Sequence, residues 1–295
     1  MKPPIKKAEV ARAVEKAIQD TSVIFGFDRL TIWLDRPECP FELSKLKNHC
    51  TKVEANHLQM LHNPRLKCRV ELLQPTLRCL EILADELGCA TAVVINYVEI
   101  AFDLPSKSRR RTRARRNSFL ASAKILHRPH DVVLDSKFGT IFYCGHRGSS
   151  IVLAAYADKP GKLNNARPPE DGPRCAHQEL RITGEAAVAE RGIVSVDDLI
   201  RFGHAEFWNE ALRFYKIPKN KTELGRLLAR ACGASVDVTG SALRKRATRW
   251  IEKSSIFDGR SDVFVMHNAL RTTSHLEKLL PQISFTDWLD EVMSL

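Results

Sequence analysis

Apolar and polar residues alternate with a period of two in several stretches of the chain, which is the pattern of a half-buried β-strand. The predicted strands of this kind are 27–34 (FDRLTIWL), 66–73 (LKCRVELL), 93–104 (VVINYVEIAFDL) and 176–182 (AHQELRI). The longer run 140–158 has the same pattern but contains Gly145 and Gly148, so we expect two strands joined by a turn there.

Apolar residues spaced three and four positions apart predict helices between these strands. The predicted helices are 41–50, 76–87, 118–126 and 197–215. Gly88, directly after the second of them, is a common helix terminator. Residues 218–295 are predicted to form a separate helical region, with its clearest helices at 222–232 and 241–251. The charged pattern of 1–20 predicts an N-terminal helical segment.

The order of these elements is strand, helix, strand, helix, strand, and then a helix and a run of strands. This order favours an α+β fold in which helices cover one face of a largely antiparallel sheet. It leaves open whether the sheet consists of two related halves, and we find no repeat with a period of about 20 to 50 residues. We therefore expect one main domain, 21–217, followed by the helical region 218–295.

The composition narrows the class of protein. With 295 residues, of which 44% are hydrophobic, the chain can bury a sizeable core, which excludes overall disorder. No run of about 18 apolar residues occurs, and 1–20 lacks the apolar centre of a signal peptide. We therefore expect a soluble, cytoplasmic protein without a membrane partner. The eight cysteines form no CxxC pair and are expected to be reduced and buried.

The net charge of +11 favours a polyanionic partner, and nucleic acid is the first to consider. Much of the charge lies in the basic linker 106–117 (SKSRRRTRARRN), whose cations are Lys107, Arg109, Arg110, Arg111, Arg113, Arg115 and Arg116. Because these cations repel one another and apolar anchors are lacking, we expect an extended, solvated linker that contacts a phosphate backbone. A solvated loop without such a contact is the alternative.

Two predicted strands carry acids on one face each. The residues on these faces are Tyr97, Glu99 and Asp103 in the first strand, and His177, Glu179 and Arg181 in the second. Glu99 and Asp103 are roughly 13 Å apart along a strand, which is too far for both to bind one ion. Glu99 and Glu179 could meet if their strands are neighbours, and a cation would then be needed between them. Oxygen ligands favour Mg²⁺ or Mn²⁺, and His177 would favour Mn²⁺. Surface carboxylates without a metal are the alternative.

Tyr156 lies near the end of its predicted strand, with Lys159 just after it. A phenol is a weak nucleophile unless a cation or a metal favours the phenolate. The glycine turn at 145–148 contains Arg147 and could hold a phosphate. A half-buried core tyrosine and an ordinary hairpin turn are the alternatives. The chain contains no GxxxxGK[ST] loop, which argues against an ATP-driven motor.

Four motifs in this order resemble the replication initiation factor family, the rolling-circle initiators of small plasmids and filamentous phages (the Rep_trans group). They are YVEIAFDL at 97–104, GHRGS at 145–149, YADK at 156–159 and QELRI at 178–182. The resemblance covers about 96–215. Tyr97 and His177 stand where the family often has an arginine before each acid, and two residues rather than one separate Tyr156 from Lys159.

The resemblance implies a metal-dependent endonuclease that nicks one DNA strand at a replication origin, with 21–217 as the nicking domain. Tyr156 would be the nucleophile that forms a 5′-phosphotyrosine link, and Lys159 or Arg147 would compensate charge at the phosphate. The implied metal site, for Mg²⁺ or Mn²⁺, comprises Glu99 and Glu179, with Asp103 as a second acid and His177 as a further ligand. Arg181 joins the cations of the basic linker as a DNA contact.

The implied partners are origin DNA, both duplex and single-stranded, a host helicase and polymerase, and a second copy of the chain. A DNA-binding regulator that does not cut is the alternative. In that case 222–250, which contains Arg244, Lys245, Arg246 and Arg249, would bind the duplex in the manner of a helix-turn-helix. An RNA-binding sheet is disfavoured, because no aromatic pair of the RNP1 type is present.

Overall fold

The computed structural model of the chain describes residues 22–88, 92–106, 108–125, 132–135, 141–144, 149–160, 163, 174–218, 223 and 279–294. Apart from residue 223, four predictions lie outside these residues: the N-terminal segment 1–20, the helices 222–232 and 241–251, and the turn 145–148 with Arg147. Within the described residues, no helix is both long and apolar enough to cross a lipid bilayer.

The strands, in chain order, are β1 (Ile24–Leu34), β2 (Lys52–His57), β3 (Cys68–Leu73), β4 (Val93–Pro105), β5 (Ala123–Ile125), β6 (Val132–Asp135), β7 (Ile141–Cys144), β8 (Ile151–Pro160), β9 (Arg174–Thr183), β10 (Leu212–Tyr215) and β11 (Gln282–Ile283). The helices are α1 (Ser44–Lys47), α2 (Leu77–Leu87), α3 (Arg109–Ser122), α4 (Glu185–Ala189), α5 (Val196–Ile200), α6 (His204–Ala211) and α7 (Phe285–Met293).

The described residues belong to two compact units, each drawn from two stretches of the chain. The first contains residues up to 112 and 149–204, and the second contains 113–144 and 205–294. The division of the chain at residue 217 stays a prediction.

The first unit is built on an antiparallel sheet with the strand order β2-β3-β1-β4-β9-β8. The α+β fold is therefore confirmed, and so are the strands that the alternation of apolar residues predicted. One face of the sheet is apolar and fully buried, with Val98, Ile100 and Phe102 of β4 beside Leu180 and Ile182 of β9. The other face carries the polar residues that alternate with them.

Helix α2 matches the predicted helix 76–87, and local contacts explain both of its ends. The Thr76 hydroxyl accepts a hydrogen bond from the Cys79 amide at 3.2 Å, which caps the first turn. Gly88 ends the helix with a φ of +56°, a conformation that favours glycine. The predicted helix 41–50 is too long, because only the single turn α1 forms, with Leu46 as its one buried residue.

From Arg109 onward the basic linker is a helix, and not the extended, solvated segment that the sequence predicted. Arginine is a good helix former, and α3 runs on to Phe119 and Leu120, which are fully buried and anchor it. Arg115 and Arg116 are buried with them, one helical turn earlier. The predicted helix 118–126 is correspondingly wrong at its end, because α3 stops at Ser122 and β5 follows.

The second unit contains a three-stranded sheet with the order β11-β10-β5, and β6 pairs with β7 in antiparallel fashion. Its core is aromatic: the rings of Phe119, Phe214 and Trp288 have centroids 5.2 to 6.1 Å apart. Helix α7 adds Phe285 to this cluster and begins with a capping box between Ser284 and Asp287.

The predicted single helix 197–215 is wrong. The chain forms α5, then a break at 201–203 that contains Gly203, then α6, and finally strand β10. Gly203 weakens a continuous helix, and the four residues of β10 pair instead with β5 and β11. The pairing partners are distant in sequence, so the helical periodicity of 197–215 could not reveal them.

Among the cysteine side chains that the structure describes, the prediction of buried thiols holds for four of five. Cys39, Cys50, Cys68, Cys79 and Cys175 form no disulfide, and all but Cys39 are buried.

Candidate functional site

The polar face of the first unit brings together the acids that the sequence singled out. Strands β4 and β9 are antiparallel neighbours, as the predicted meeting of their acids requires. Their register sets Asp103 opposite His177, and Glu99 opposite Arg181. Glu179 lies opposite Ala101 and therefore diagonally from Glu99.

Glu179 occupies the centre of this face and is completely buried. Its neighbours across the sheet are two fully buried alanines, Ala101 on β4 and Ala154 on β8. The small side chains leave room for the longer groups around them. Burying a carboxylate without partners is costly, so the position demands hydrogen bonds and cations close by.

Tyr156 supplies one of these partners. It lies opposite His177 in the ladder between β8 and β9, and the two rings pack with centroids 5.4 Å apart. The phenol donates a hydrogen bond to Glu179 Oε1 at 2.5 Å and accepts one from Arg181 Nη2 at 2.5 Å. The hydroxyl is therefore held between an anion and a cation.

Arg181 contacts both Glu179 and Glu99. It lies where the sequence predicted that a cation would be needed between these two acids. Its Nε donates to Glu179 Oε1 at 2.7 Å and lies 3.5 Å from Glu99 Oε1. Burial alone would lower the pKa of Arg181, but Glu179, Tyr156 and Glu99 together raise it. Arg181 therefore stays charged in this site.

His177 bridges two carboxylates. Its Nδ1 lies 2.6 Å from Asp103 Oδ1, and its Nε2 lies 3.0 Å from Glu179 Oε2. Burial alone would lower the pKa of His177, but the two carboxylates outweigh it and hold the pKa well above its ordinary value. Burial alone would raise the pKa of Glu179, but His177, Arg181 and Tyr156 lower it. In the absence of a metal, the structure thus favours a protonated His177 imidazole beside an ionised Glu179 carboxylate.

The pKa of Glu99 shifts in the opposite direction to the pKa of Glu179. The pKa of Glu99 is raised to about 7, first by burial and then by repulsion from Glu179 and Asp28. Tyr97 donates a hydrogen bond to Glu99 Oε1. The pKa of Tyr97 is itself raised, first by burial and then by the Glu99 charge.

Asp28 is a member of this site that the sequence did not reveal. Strict alternation along β1 would place it with Leu30, Ile32 and Leu34 on the apolar face. A register shift between Phe27 and Arg29 breaks the alternation, as a β-bulge does. The Asp28 carboxylate consequently reaches the polar face. One signal was present in the sequence: an acid inside a run of otherwise apolar positions needs a polar partner.

Gln74 holds Asp28 in place. Its side-chain amide donates to the Asp28 carboxylate, and its backbone amide donates to the Asp28 carbonyl at 2.9 Å. Gln74 has a φ of +45°, a left-handed conformation that is uncommon for residues other than glycine. No sequence pattern identified it, because the contact depends on the distant turn after β3.

Asp28, His177 and Glu179 form a group that could hold a metal ion. One ligand atom from each residue lies within 4.8 Å of the other two. Two carboxylates and an imidazole are suitable donors for a divalent ion such as Mn²⁺. Asp103 would then accept the Nδ1 proton of His177 and orient the ring, a common arrangement around histidine ligands. The donors therefore fit a metal, although Glu99 and Asp103 are not in this group.

The remaining predicted site residues belong to the basic linker, to the turn 145–148 or to the end of β8. Lys159 belongs to β8, but its side chain lies outside what the structure describes, as do Lys107 and Arg147. Four arginines of α3 are exposed: Arg109, Arg110, Arg111 and Arg113. Arg115 and Arg116 are buried, so they are not surface contacts in this conformation.

No family model and no curated protein matches the chain. Among solved structures, the chain is similar to one described as the rolling circle replication initiator protein from Geobacillus stearothermophilus. The identity is 12% and the TM-score is 0.36, over 70% of this chain and 91% of that one. A likeness this distant does not decide the fold or the function.

The raised pKa of Glu99 predicts a pH-dependent stability in metal-free buffer. Because the folded pKa is about 7 and the ordinary value is 4.5, the folded protein binds more protons than the unfolded chain between these values. The contribution of Glu99 to stability is therefore full below pH 4.5 and is lost as the pH rises through 7. Glu99→Gln should remove this loss, which amounts to at most about 3 kcal/mol.

Urea unfolding at pH 5 and pH 7.5, with a chelator present, measures the effect. The exposed Glu54→Gln variant is the matched control and should retain the wild-type difference between the two pH values. An equal difference in wild type and Glu99→Gln would contradict the assignment.

Proposed function

We propose that the protein is a rolling-circle DNA replication initiator that nicks one strand of an origin through Tyr156. The observation that carries the proposal is the Tyr156 hydroxyl, which is shared between Glu179 Oε1 and Arg181 Nη2 at 2.5 Å each. The four motifs that resemble the replication initiation factor family support the same interpretation, because Tyr156 and Glu179 both belong to them.

The chemistry is a transesterification. The Tyr156 oxygen loses its proton and attacks the phosphorus, the bond from phosphorus to the 3′-oxygen breaks, and that oxygen takes up a proton. The tyrosine becomes joined to the 5′-phosphate. The 3′-hydroxyl that is released can prime DNA synthesis. Arg181 donates to the phenolic oxygen and so favours the negative charge that develops there. Since one ester bond replaces another, the same residues can rejoin the strand without ATP.

A divalent ion, Mg²⁺ or Mn²⁺, is part of the proposal. When bound, it would stabilise negative charge on the non-bridging phosphate oxygens. Asp28, His177 and Glu179 are the residues proposed to hold it, since their ligand atoms lie within 4.8 Å of one another. Asp103 positions His177 from behind. This proposal replaces Glu99, which the sequence favoured as a ligand, with Asp28.

The DNA contacts are assigned to the exposed arginines of α3, namely Arg109, Arg110, Arg111 and Arg113. Arg181 is assigned to the tyrosine and the glutamates that it contacts, and not to the DNA backbone. Origin DNA is the proposed partner, together with a host helicase, a polymerase and a second copy of the chain.

A DNA-binding regulator that does not cut remains the second candidate, and one observation favours it. Tyr156 is only 8% exposed, so a phosphate can reach its hydroxyl only after neighbouring groups move. A purely structural tyrosine would be buried in the same way.

Nicking of supercoiled DNA that carries the cognate origin separates the two candidates. Tyr156→Phe should abolish the conversion to open circles, because the nucleophilic oxygen is lost, while DNA binding persists. Chelation should stop nicking by the wild type, and added Mn²⁺ or Mg²⁺ should restore it. Tyr97→Phe is the matched control, because Tyr97 donates to Glu99 on the same face but is not the proposed nucleophile. Retained nicking by Tyr156→Phe would contradict the proposal.

The arginines of α3 predict a salt-dependent affinity for DNA. Replacing Arg109, Arg110 and Arg111 by alanine should reduce the slope of log affinity against log salt by about 0.9 for each phosphate of duplex DNA that is no longer neutralised. A triple alanine variant of Lys45, Lys47 and Arg78, which are also exposed, controls for net charge. An unchanged slope in the α3 variant, measured by fluorescence anisotropy, would show that these arginines do not touch DNA.

A further inference from the structure

The hairpin between β2 and β3 extends well beyond the sheet ladder. Past the last ladder pair, the Leu58 amide donates to the Lys67 carbonyl at 3.1 Å, and the Met60 amide donates to the Leu66 carbonyl at 3.0 Å. We call residues 58–66 the hairpin tip. At the base of the tip, the Lys67 amide bonds to the Leu34 carbonyl at 2.8 Å, which attaches it to β1.

The hairpin tip is an ordered structure. The Asn63 amide donates to the Met60 carbonyl at 3.2 Å, and the Leu66 amide donates to the Asn63 carbonyl at 3.0 Å, which makes two successive tight turns. The Gln59 side chain closes the tip by donating to the Pro64 carbonyl at 3.2 Å. Leu66 is buried and anchors the tip to the unit. The tip therefore presents its other side chains on a preformed support.

The hairpin tip presents apolar side chains to solvent. Leu61 lies in the first turn and is 87% exposed, and Leu58 is 47% exposed. They are two of the four large hydrophobic residues that are exposed in the described part of the chain. An ordered turn that displays two leucines suggests a contact surface, since turns more often carry polar residues.

The surroundings of the tip are basic. From 55 to 70 the sequence contains no acid, while it contains Arg65, Lys67 and Arg69 and also His57 and His62. Arg69 is paired with Glu71, but Arg65 within the tip and Lys67 at its base are exposed. An apolar point with flanking cations is complementary to a nucleic-acid duplex, whose backbone is anionic and whose base pairs stack as apolar surfaces.

We propose that the hairpin tip is a wedge for duplex DNA, in which Leu61 inserts between two base pairs from the minor groove while Arg65 and Lys67 contact phosphates. Leucine is one of the side chains that unstack base steps in this way and kink the duplex. A β-hairpin provides a rigid arm for such an insertion. The wedge rests on the proposed function only in taking DNA as the partner, and it does not require that Tyr156 cuts.

The wedge is remote from the tyrosine. Strand β3 is separated from β8, which carries Tyr156, by β1, β4 and β9. Four strand spacings amount to about 19 Å, and the tip lies still further along the strands. The duplex would therefore be kinked at least about five base pairs from the position of the tyrosine.

Base unstacking tests the proposal directly. The probe is a set of duplexes of about 30 base pairs, each with one 2-aminopurine at a different position across the cognate origin. Wild type should raise the fluorescence at one or two adjacent positions, because an unstacked 2-aminopurine is no longer quenched. Leu61→Ala should abolish this rise and weaken duplex binding about tenfold, which corresponds to the buried area of one leucine.

The matched control is Leu77→Ala, which removes a leucine that is 53% exposed on α2, away from the tip. It should leave the fluorescence rise and the affinity as in the wild type. Because Leu61 is exposed, Leu61→Ala should fold normally, and its thermal unfolding midpoint should be unchanged.

The outcomes distinguish this proposal from the nicking proposal. If Tyr156→Phe keeps the fluorescence rise, the wedge is supported whether or not the wild type nicks DNA. Binding without a rise at any position would overturn the wedge, and so would an equal rise in Leu61→Ala. A change in oligomeric state on Leu61→Ala, measured by light scattering with the DNA response intact, would assign the tip to self-association and also overturn it.

Discussion

The buried carboxylate of Glu179 is the constraint on which the rest of the site depends. It is fully enclosed between two alanines, and a charge in that position is stable only when protein groups replace the lost water. His177, Arg181 and Tyr156 are those groups, and each of them contacts Glu179 directly. The need to stabilise the buried Glu179 carboxylate thus determines where His177, Arg181 and Tyr156 lie.

The same contacts place the Tyr156 hydroxyl between two charged groups. The hydroxyl oxygen accepts a hydrogen bond from the Arg181 guanidinium, which favours negative charge on that oxygen. The hydroxyl donates its proton in a hydrogen bond to the Glu179 carboxylate. Glu99 sits at the other end of Arg181 and has a pKa near the physiological range, about 7. Burial is the main cause of this raised pKa, and repulsion from Glu179 and Asp28 adds to it.

Much of this arrangement could be predicted from the sequence, because a strand has a period of two. Alternation identified β4 and β9 and placed Glu99, Asp103, His177 and Glu179 on polar faces. Antiparallel pairing of the two strands then brought those faces together. The alternation of apolar and polar residues does not reveal the register, that is, which residues of the two strands lie opposite one another. The register sets Glu99 opposite Arg181 and not opposite Glu179.

The features that the sequence did not predict correctly have local physical causes. Asp28 reaches the site through a bulge, which inverts the faces of a strand and which a strict period of two does not predict. The basic linker forms a helix because its buried anchors, Phe119 and Leu120, lie just beyond the last arginine. The residues of β10 have a helical pattern but pair with strands far away in the sequence, and tertiary pairing outweighs local preference there.

Mapping the covalent link between protein and DNA tests the account most directly. After reaction of wild type with cognate origin DNA and Mn²⁺, nuclease and protease digestion followed by mass spectrometry would locate any nucleotide that stays attached. The chain contains four tyrosines, at 97, 143, 156 and 215, so the assignment is unambiguous. The account predicts a nucleotide on Tyr156 alone. A nucleotide on another residue, or nicked DNA with no attached peptide, would contradict it.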